Sequence, residues 1–189
     1  PQTAEWTTTR MWCPMCGQQH VQACYDAASN HLEISCPACG RLLDHRTELL
    51  IGARTYRSAF TRVLGWANEY FPPALATGAA VCLKCGSLAP LRLGQPSFMR
   101  RQGLDVAAVH IDCSCWELNT CDLPFLALAS PVGRAFRQAH PRMRLISELP
   151  QEVTGGDALV IAFADSADTA RLTLTVARDT YRVIEIAAT

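Results

Sequence analysis

Eight of the ten cysteines in this 189-residue chain fall into four close pairs: Cys13-Pro-Met-Cys16-Gly, Cys36-Pro-Ala-Cys39-Gly, Cys82-Leu-Lys-Cys85-Gly and Cys113-Ser-Cys115. Two thiolates held a few residues apart are half of a tetrahedral zinc site, and the Gly after the second Cys lets the backbone turn and aim its N–H groups at sulfur. Two halves close one site. The eight cysteines therefore predict two zinc ions, and with them two small units whose folding depends on metal rather than on a large core.

The first quartet, Cys13, Cys16, Cys36 and Cys39, has the C-x2-C-x19-C-x2-C spacing of a zinc ribbon. Between its halves the pattern reads as a hairpin: a strand near Gln19–Tyr25, a turn at Asp26–Asn30 and a strand at His31–Ser35. The second quartet, Cys82, Cys85, Cys113 and Cys115, repeats that logic with a longer insert and a tighter last pair. Strands are expected near Leu88–Leu93 and Asp105–Asp112, with a loop at Gly94–Gly103 between them. His110 also stands at knuckle spacing from Cys113, so it is an alternative fourth ligand; otherwise it is a strand residue. Four thiolates fill a tetrahedral zinc and leave no position for water, so both sites read as structural. Cys24 and Cys121 are left over and read as buried small apolar residues rather than as a redox pair.

Periodicity changes between the ribbons. From Thr47 to about Phe71, Tyr56, Phe60, Val63, Leu64, Ala67, Tyr70 and Phe71 recur at steps of three and four, which predicts an amphipathic helix. Pro72-Pro73 is expected to end or kink it, with a small-residue connector after it. Its aromatic stripe reads as core, and Trp66, off the main stripe, as the residue facing a pocket or partner. Residues 122–140 predict two short helices broken at Ser130-Pro131. Three alternating segments, Ala158–Phe163, Ala170–Val176 and Tyr181–Ile186, predict an antiparallel meander.

The expected architecture is α+β: two zinc ribbons bridged by an amphipathic helix, a short helical pair and a C-terminal antiparallel β-meander. In order, 1–10 reads as a leader or linker, 11–45 as the first ribbon, 46–79 as bridging helix and connector, and 80–120 as the second ribbon. The helical pair follows over 121–149 and the meander over 150–189, all packing as one unit.

Composition narrows the function classes. Seventeen basic residues balance seventeen acidic ones, which argues against a dedicated electrostatic nucleic-acid binder. Sixteen of the basic residues are Arg and only Lys84 is Lys. Arg54, Arg57, Arg62, Arg100, Arg101, Arg134, Arg137, Arg142 and Arg144 read as a solvated surface, with phosphate contact as the alternative. No apolar run approaches the roughly 20 residues of a membrane helix. Metal-bound thiolates fit a reducing compartment, so a cytoplasmic protein is expected. None of the hydrolase, metalloprotease, phosphate-loop or dinucleotide motifs is present, and an enzyme is not expected. The chain begins Pro1-Gln2-Thr3 without an initiator Met, so a piece of a longer protein is expected.

In their order the parts resemble the C-terminal region of ArsR-like winged-helix transcriptional regulators. The stretches that carry the resemblance are Cys36-Pro-Ala-Cys39-Gly, the helix Arg54–Tyr70 with Trp66, Val81-Cys82-Leu-Lys-Cys85-Gly, Val109-His-Ile-Asp-Cys113, and Leu128-Ala-Ser-Pro131-Val-Gly-Arg-Ala-Phe136. The chain departs from that pattern at its C-x-C pair and at His140-Pro141, where a His-Gly helix end is expected. The resemblance implies a zinc-binding regulatory module serving dimerisation or effector sensing, with a homo-oligomeric state and a small apolar effector. It also implies that DNA is met only through a domain upstream. A stand-alone zinc-ribbon module that binds nucleic acid or protein is the competing expectation.

Overall fold

A computed structural model describes residues 5–40, 42–46, 50–94, 108–115, 120–153, 156–180 and 182–189. The described residues form three four-stranded antiparallel sheets and three helices. The first sheet holds β1 (Thr7–Trp12), β2 (His20–Asp26), β3 (His31–Ser35) and β4 (Leu42–Arg46), paired in chain order. The hairpin expected between the cysteine pairs is its centre, closed by a turn in which Asn30 takes φ 49°. Alternation on β2 and β3 places Val21, Ala23, Leu32 and Ile34 inward, each 7 % exposed or less.

The first sheet corrects the leader reading of residues 1–10. Residues 1–4 lie outside the described residues, but Thr7 to Arg10 belong to β1, which pairs with β2. Its Thr-rich sequence lacks apolar alternation because β1 is an edge strand, where β-branched polar residues suit one solvated side.

Helix α1 (Tyr56–Thr77) starts on a capping box: the Thr55 hydroxyl accepts from Ser58 N–H at 3.3 Å while Ser58 Oγ accepts from Thr55 N–H at 3.2 Å. It does not stop at Pro72-Pro73. Both prolines lie exposed inside the helix, and the chain continues to Gly78, whose φ of 72° closes it with an N–H bond to Ala74 O at 2.8 Å. Burial of Phe71, Ala74 and Leu75, on the inner side of that last stretch, offsets the backbone bonds the prolines cannot make. The residues expected as a connector are therefore helical and partly core. The stripe reading is upheld at Phe71, which is fully buried. Trp66 stacks on Tyr70 with centroids 5.4 Å apart and meets Phe71 edge-on.

The second sheet runs β5 (Ala79–Val81), β6 (Leu88–Gly94), β7 (Ala108–Ile111) and β8 (Thr120–Asp122), again in chain order. The loop expected at Gly94–Gly103 falls outside the described residues apart from Gly94, as does the start of the strand expected at Asp105. Two short helices follow, α2 (Leu123–Ala129) and α3 (Pro131–Ala139), broken where the sequence reading placed the break. Asp122 caps α2, accepting from Phe125 N–H at 2.6 Å; Ser130 caps α3, accepting from Gly133 N–H at 3.0 Å, with Pro131 at the first helical position. A side chain at Gly133 would meet Ala127 O at 2.0 Å, so the two helices cross as closely as they do only because that residue is Gly.

The third sheet, ordered β12-β11-β10-β9, contains the three expected meander strands, β10 (Gly156–Ala164), β11 (Arg171–Ala177) and β12 (Val183–Ala188). To these it adds β9 (Arg144–Val153). That strand escapes a sequence reading because Pro150 interrupts it, which an edge strand tolerates. Asp165 holds the β10–β11 turn, accepting from Thr169 N–H at 2.7 Å, Thr169 Oγ1 at 2.9 Å and Ala170 N–H at 3.1 Å.

Two cores result. One gathers the inner face of the first sheet, Leu50, Ala53, and Ala59 and Val63 of α1; the other gathers Ala67, Phe71, Ala74 and Leu75 of α1 with the second sheet, both short helices and β10–β11. No described helix is long and apolar enough to cross a membrane.

Candidate metal centres

The first ribbon brings Cys13, Cys16, Cys36 and Cys39 together from two loops, with all four sulfurs within 4.8 Å of one another. Cys13 Sγ lies 3.7 Å from Cys39 Sγ, and Cys16 Sγ lies 3.7 Å from Cys36 Sγ. Zinc–sulfur bonds of about 2.3 Å in a tetrahedron put sulfurs about 3.8 Å apart, so these gaps are the edges of a zinc site. Each knuckle is a tight turn: Gly17 N–H bonds Cys13 O and Gly40 N–H bonds Cys36 O, both at 2.8 Å, with φ of 65° and 67° at the two glycines.

The site belongs to the core beside it. Cys13 and Cys36 are 2 % and 1 % exposed and pack with Val21, Leu32 and Ile34. Met15 O accepts from Leu145 N–H at 3.2 Å, and a Cβ on Gly17 would meet Arg142 O at 2.7 Å. The knuckle is therefore clamped against the chain leaving α3. In the metal-free protein, burial drives the Cys13 thiol far above its ordinary range. At Cys36 burial acts the same way, but the N–H groups of Cys39 and Ala38, with the Cys13 and Cys16 thiols, prevail and bring it below that range. Such a set becomes four thiolates when a divalent cation compensates their charge.

The second quartet also assembles, as Cys82, Cys85, Cys113 and Cys115. Sulfur separations are 3.5 Å for Cys82–Cys115 and 3.4 Å for both Cys85–Cys113 and Cys113–Cys115. Gly86 N–H bonds Cys82 O at 2.9 Å with φ 74°, the same turn as in the first ribbon. The C-x-C end completes the site without a knuckle of its own. His110, the alternative ligand, is outside the cluster. It sits on β7, and its Nδ1 is buried with no hydrogen-bond partner among the described residues. Burial lowers its pKa.

This second site stands at the rim. Cys82 is buried, Cys85 is exposed, and a Cβ on Gly86 would touch nothing within 4 Å. The Ser87 N–H, then the Ser87 hydroxyl, lower Cys85 to about 6. At Cys113 the Cys115 N–H acts downward, but the Cys115, Cys85 and Cys82 thiols outweigh it and push it up to about 12. Both quartets are positioned to bind zinc, giving two ions per chain. Zinc at either site supplies a tetrahedral cross-link between distant parts of the chain.

The remaining sequence candidates do not converge. Cys24 lies on β2 and Cys121, fully buried, on β8 of a different sheet. The arginines take separate partners: Arg57 lies over the Tyr56 ring, Arg142 stacks 4.7 Å from the Trp12 centroid, and Arg144 bonds Asp168 at 2.7 Å. Arg100 and Arg101 fall outside the described residues.

One feature escaped the sequence reading. Between the first sheet and the three helices lies a cavity of about 80 Å³, lined by Met11, Val21, Ile34, Phe60, Leu64 and Phe125 together with Cys13, Cys36, Asp122 and Arg137. The available signal was helical spacing: Arg137 follows buried Gly133 by four residues, so it shares that inward face of α3. No family model, curated protein or solved structure matches the chain.

Proposed function

We propose that this chain is the zinc-stabilised regulatory module of a transcriptional regulator whose DNA-binding part lies upstream, in line with the ArsR-like resemblance. The observation that carries the reading is the cavity beside the first zinc site. Its wall combines two zinc ligands, the first half of α1, and both short helices. An occupant there touches the first sheet, α1 and both short helices, and α1 runs on from this wall into the second core. In this reading α1 bridges the ribbons, the zincs keep them rigid, and a small effector changes how the module meets a second copy of itself. Support for self-association comes from Val81 and Leu88, register partners that are 53 % and 74 % exposed, with Leu83, 47 % exposed, beside them. The expected setting is the cytoplasm.

The gene tests this directly. The reading frame extended through Pro1 is expected to encode a winged helix, and a start codon immediately before Pro1 contradicts the proposal. The competing reading is a stand-alone ribbon that binds nucleic acid. It requires salt-dependent retention of this chain alone on DNA or RNA, which its zero net charge disfavours.

A further inference from the structure

Exposure and sulfur separation together single out one edge of the second metal centre. Cys85 is exposed and Cys113 half-buried, and their sulfurs lie 3.4 Å apart. At the first centre Cys39 is exposed too, but the sulfur 3.7 Å from it is that of Cys13, and the one 3.7 Å from Cys16 is that of Cys36. Cys13 and Cys36 are 2 % and 1 % exposed. Both centres thus offer one sulfur fully to solvent. The second sets beside it a sulfur that solvent also reaches.

That difference matters for oxidation. A hydroperoxide takes a thiolate to a sulfenic acid, and a neighbouring thiolate then displaces the oxygen to form a disulfide. For that step the two sulfurs must close from contact to about 2.05 Å. At the first centre the closure has to draw Cys13 out of its packing with Val21, Leu32 and Ile34. Its knuckle is also held, since a Cβ on Gly17 would already meet Arg142 O at 2.7 Å. At the second centre the Cys82–Cys85 knuckle has open space around Gly86. Cys113 and Cys115 are 3.4 Å apart as well, but a bridge across Ser114 alone strains disulfide geometry. Cys85 and Cys113 come from separate segments and carry no such tether.

We propose that Cys85 and Cys113 form a thiol-oxidation site for hydroperoxides, through which the second centre releases its zinc while the first keeps its own. The Cys85 thiolate attacks one oxygen of hydrogen peroxide, giving the Cys85 sulfenic acid and hydroxide. The Cys113 thiolate then attacks the Cys85 sulfur, forming the disulfide and expelling a second hydroxide. The two thiolates lose two electrons, the peroxide gains them, and two protons from solvent turn both hydroxides into water. Cys82 and Cys115 alone remain for the zinc, and half a ligand set does not hold it. The hairpin that carries Val81, Leu83 and Leu88 loses its cross-link, while Phe71, Leu91 and Val109 keep the core beneath it. The site stands independently of the regulatory reading.

The test adds one equivalent of hydrogen peroxide to the zinc-loaded, unaltered chain. Zinc is followed with a colorimetric dye too weak to strip it, and disulfides are mapped after alkylation of the remaining thiols. About one zinc per chain should be released together with a Cys85–Cys113 disulfide, the other zinc leaving more slowly by about tenfold or more. A dithiol reductant with added zinc should restore two bound ions. Two zincs lost at one rate overturn the proposal, as does a disulfide that forms first among Cys13, Cys16, Cys36 and Cys39. So does peroxide consumed at Cys24, a half-buried free thiol, with both zincs retained. A Cys82–Cys85 or Cys113–Cys115 bridge in place of Cys85–Cys113 overturns it as well.

Discussion

The two metal centres each use four thiolates and nearly the same knuckle, and each exposes one cysteine, yet they pack differently against the fold. The first is part of a core: Cys13 and Cys36 are buried among sheet residues, and its Gly17 turn is pressed against the Arg142 backbone. The second hangs from a hairpin tip, with Cys85 in solvent and open space around Gly86. A zinc site's contribution to stability thus depends on what else its knuckles hold. At the first site, metal and hydrophobic burial are one cooperative unit. At the second, the core beneath already has Phe71, Leu91, Val109 and Leu123 to sustain it.

The largest effect expected from this difference is on folding. Cys13→Ser should cost about 5 kcal/mol or more and dissolve the β1–β4 sheet, since structural zinc carries most of the stability of so small a unit. Cys85→Ser should cost under about 2 kcal/mol and leave the third sheet intact, because a solvent-exposed tip can open locally. Urea unfolding followed by circular dichroism, with zinc content measured on each variant, compares them. Equal losses would break the distinction.

A finer probe compares two of the three knuckle glycines, Gly17 and Gly86. Both have positive φ, so Ala at either position carries a left-handed penalty of about 1 kcal/mol. Gly86→Ala should cost little beyond that. Gly17→Ala must also push back the Arg142 carbonyl, a backbone atom, and should cost about 3 kcal/mol or more. Thermal melts of the two variants read the difference.

The smallest effect concerns reactivity with zinc removed. Cys85, held at about 6, is thiolate at neutral pH and exposed. Its alkylation by iodoacetamide should hold its rate as pH falls toward 6 and decline below it. Cys13 loses its burial when the first sheet dissolves without zinc, so its rate should fall continuously as pH drops through that range, as for an ordinary thiol. Peptide mapping of the alkylated chain separates the two.

The unequal settings also explain what could be read from sequence. Ligand spacing is local, so all eight cysteines and the hairpin at His31–Ser35 were legible. The break at Ser130-Pro131 was legible for the same reason, because caps and prolines act on their neighbours. What failed depended on tertiary context. β1 has no apolar alternation because it is an edge, and α1 passes Pro72-Pro73 because Phe71, Ala74 and Leu75 are buried beneath it. Whether His110 or a C-x-C pair closes the second site was a question of three-dimensional reach, and the sulfurs meet without the imidazole. Helical spacing puts Arg137 on the inward face of its short helix, but which residues that face meets depends on tertiary packing, so the cavity itself was not legible.

The claim that these are two complete but unequal zinc sites is tested most directly by metal-release kinetics, using the zinc-loaded chain in excess chelator and a colorimetric zinc readout. Two zincs per chain should leave in two well-separated phases of equal amplitude, with Cys85→Ser altering only the faster. A single zinc, or two that leave together at one rate, would contradict the account.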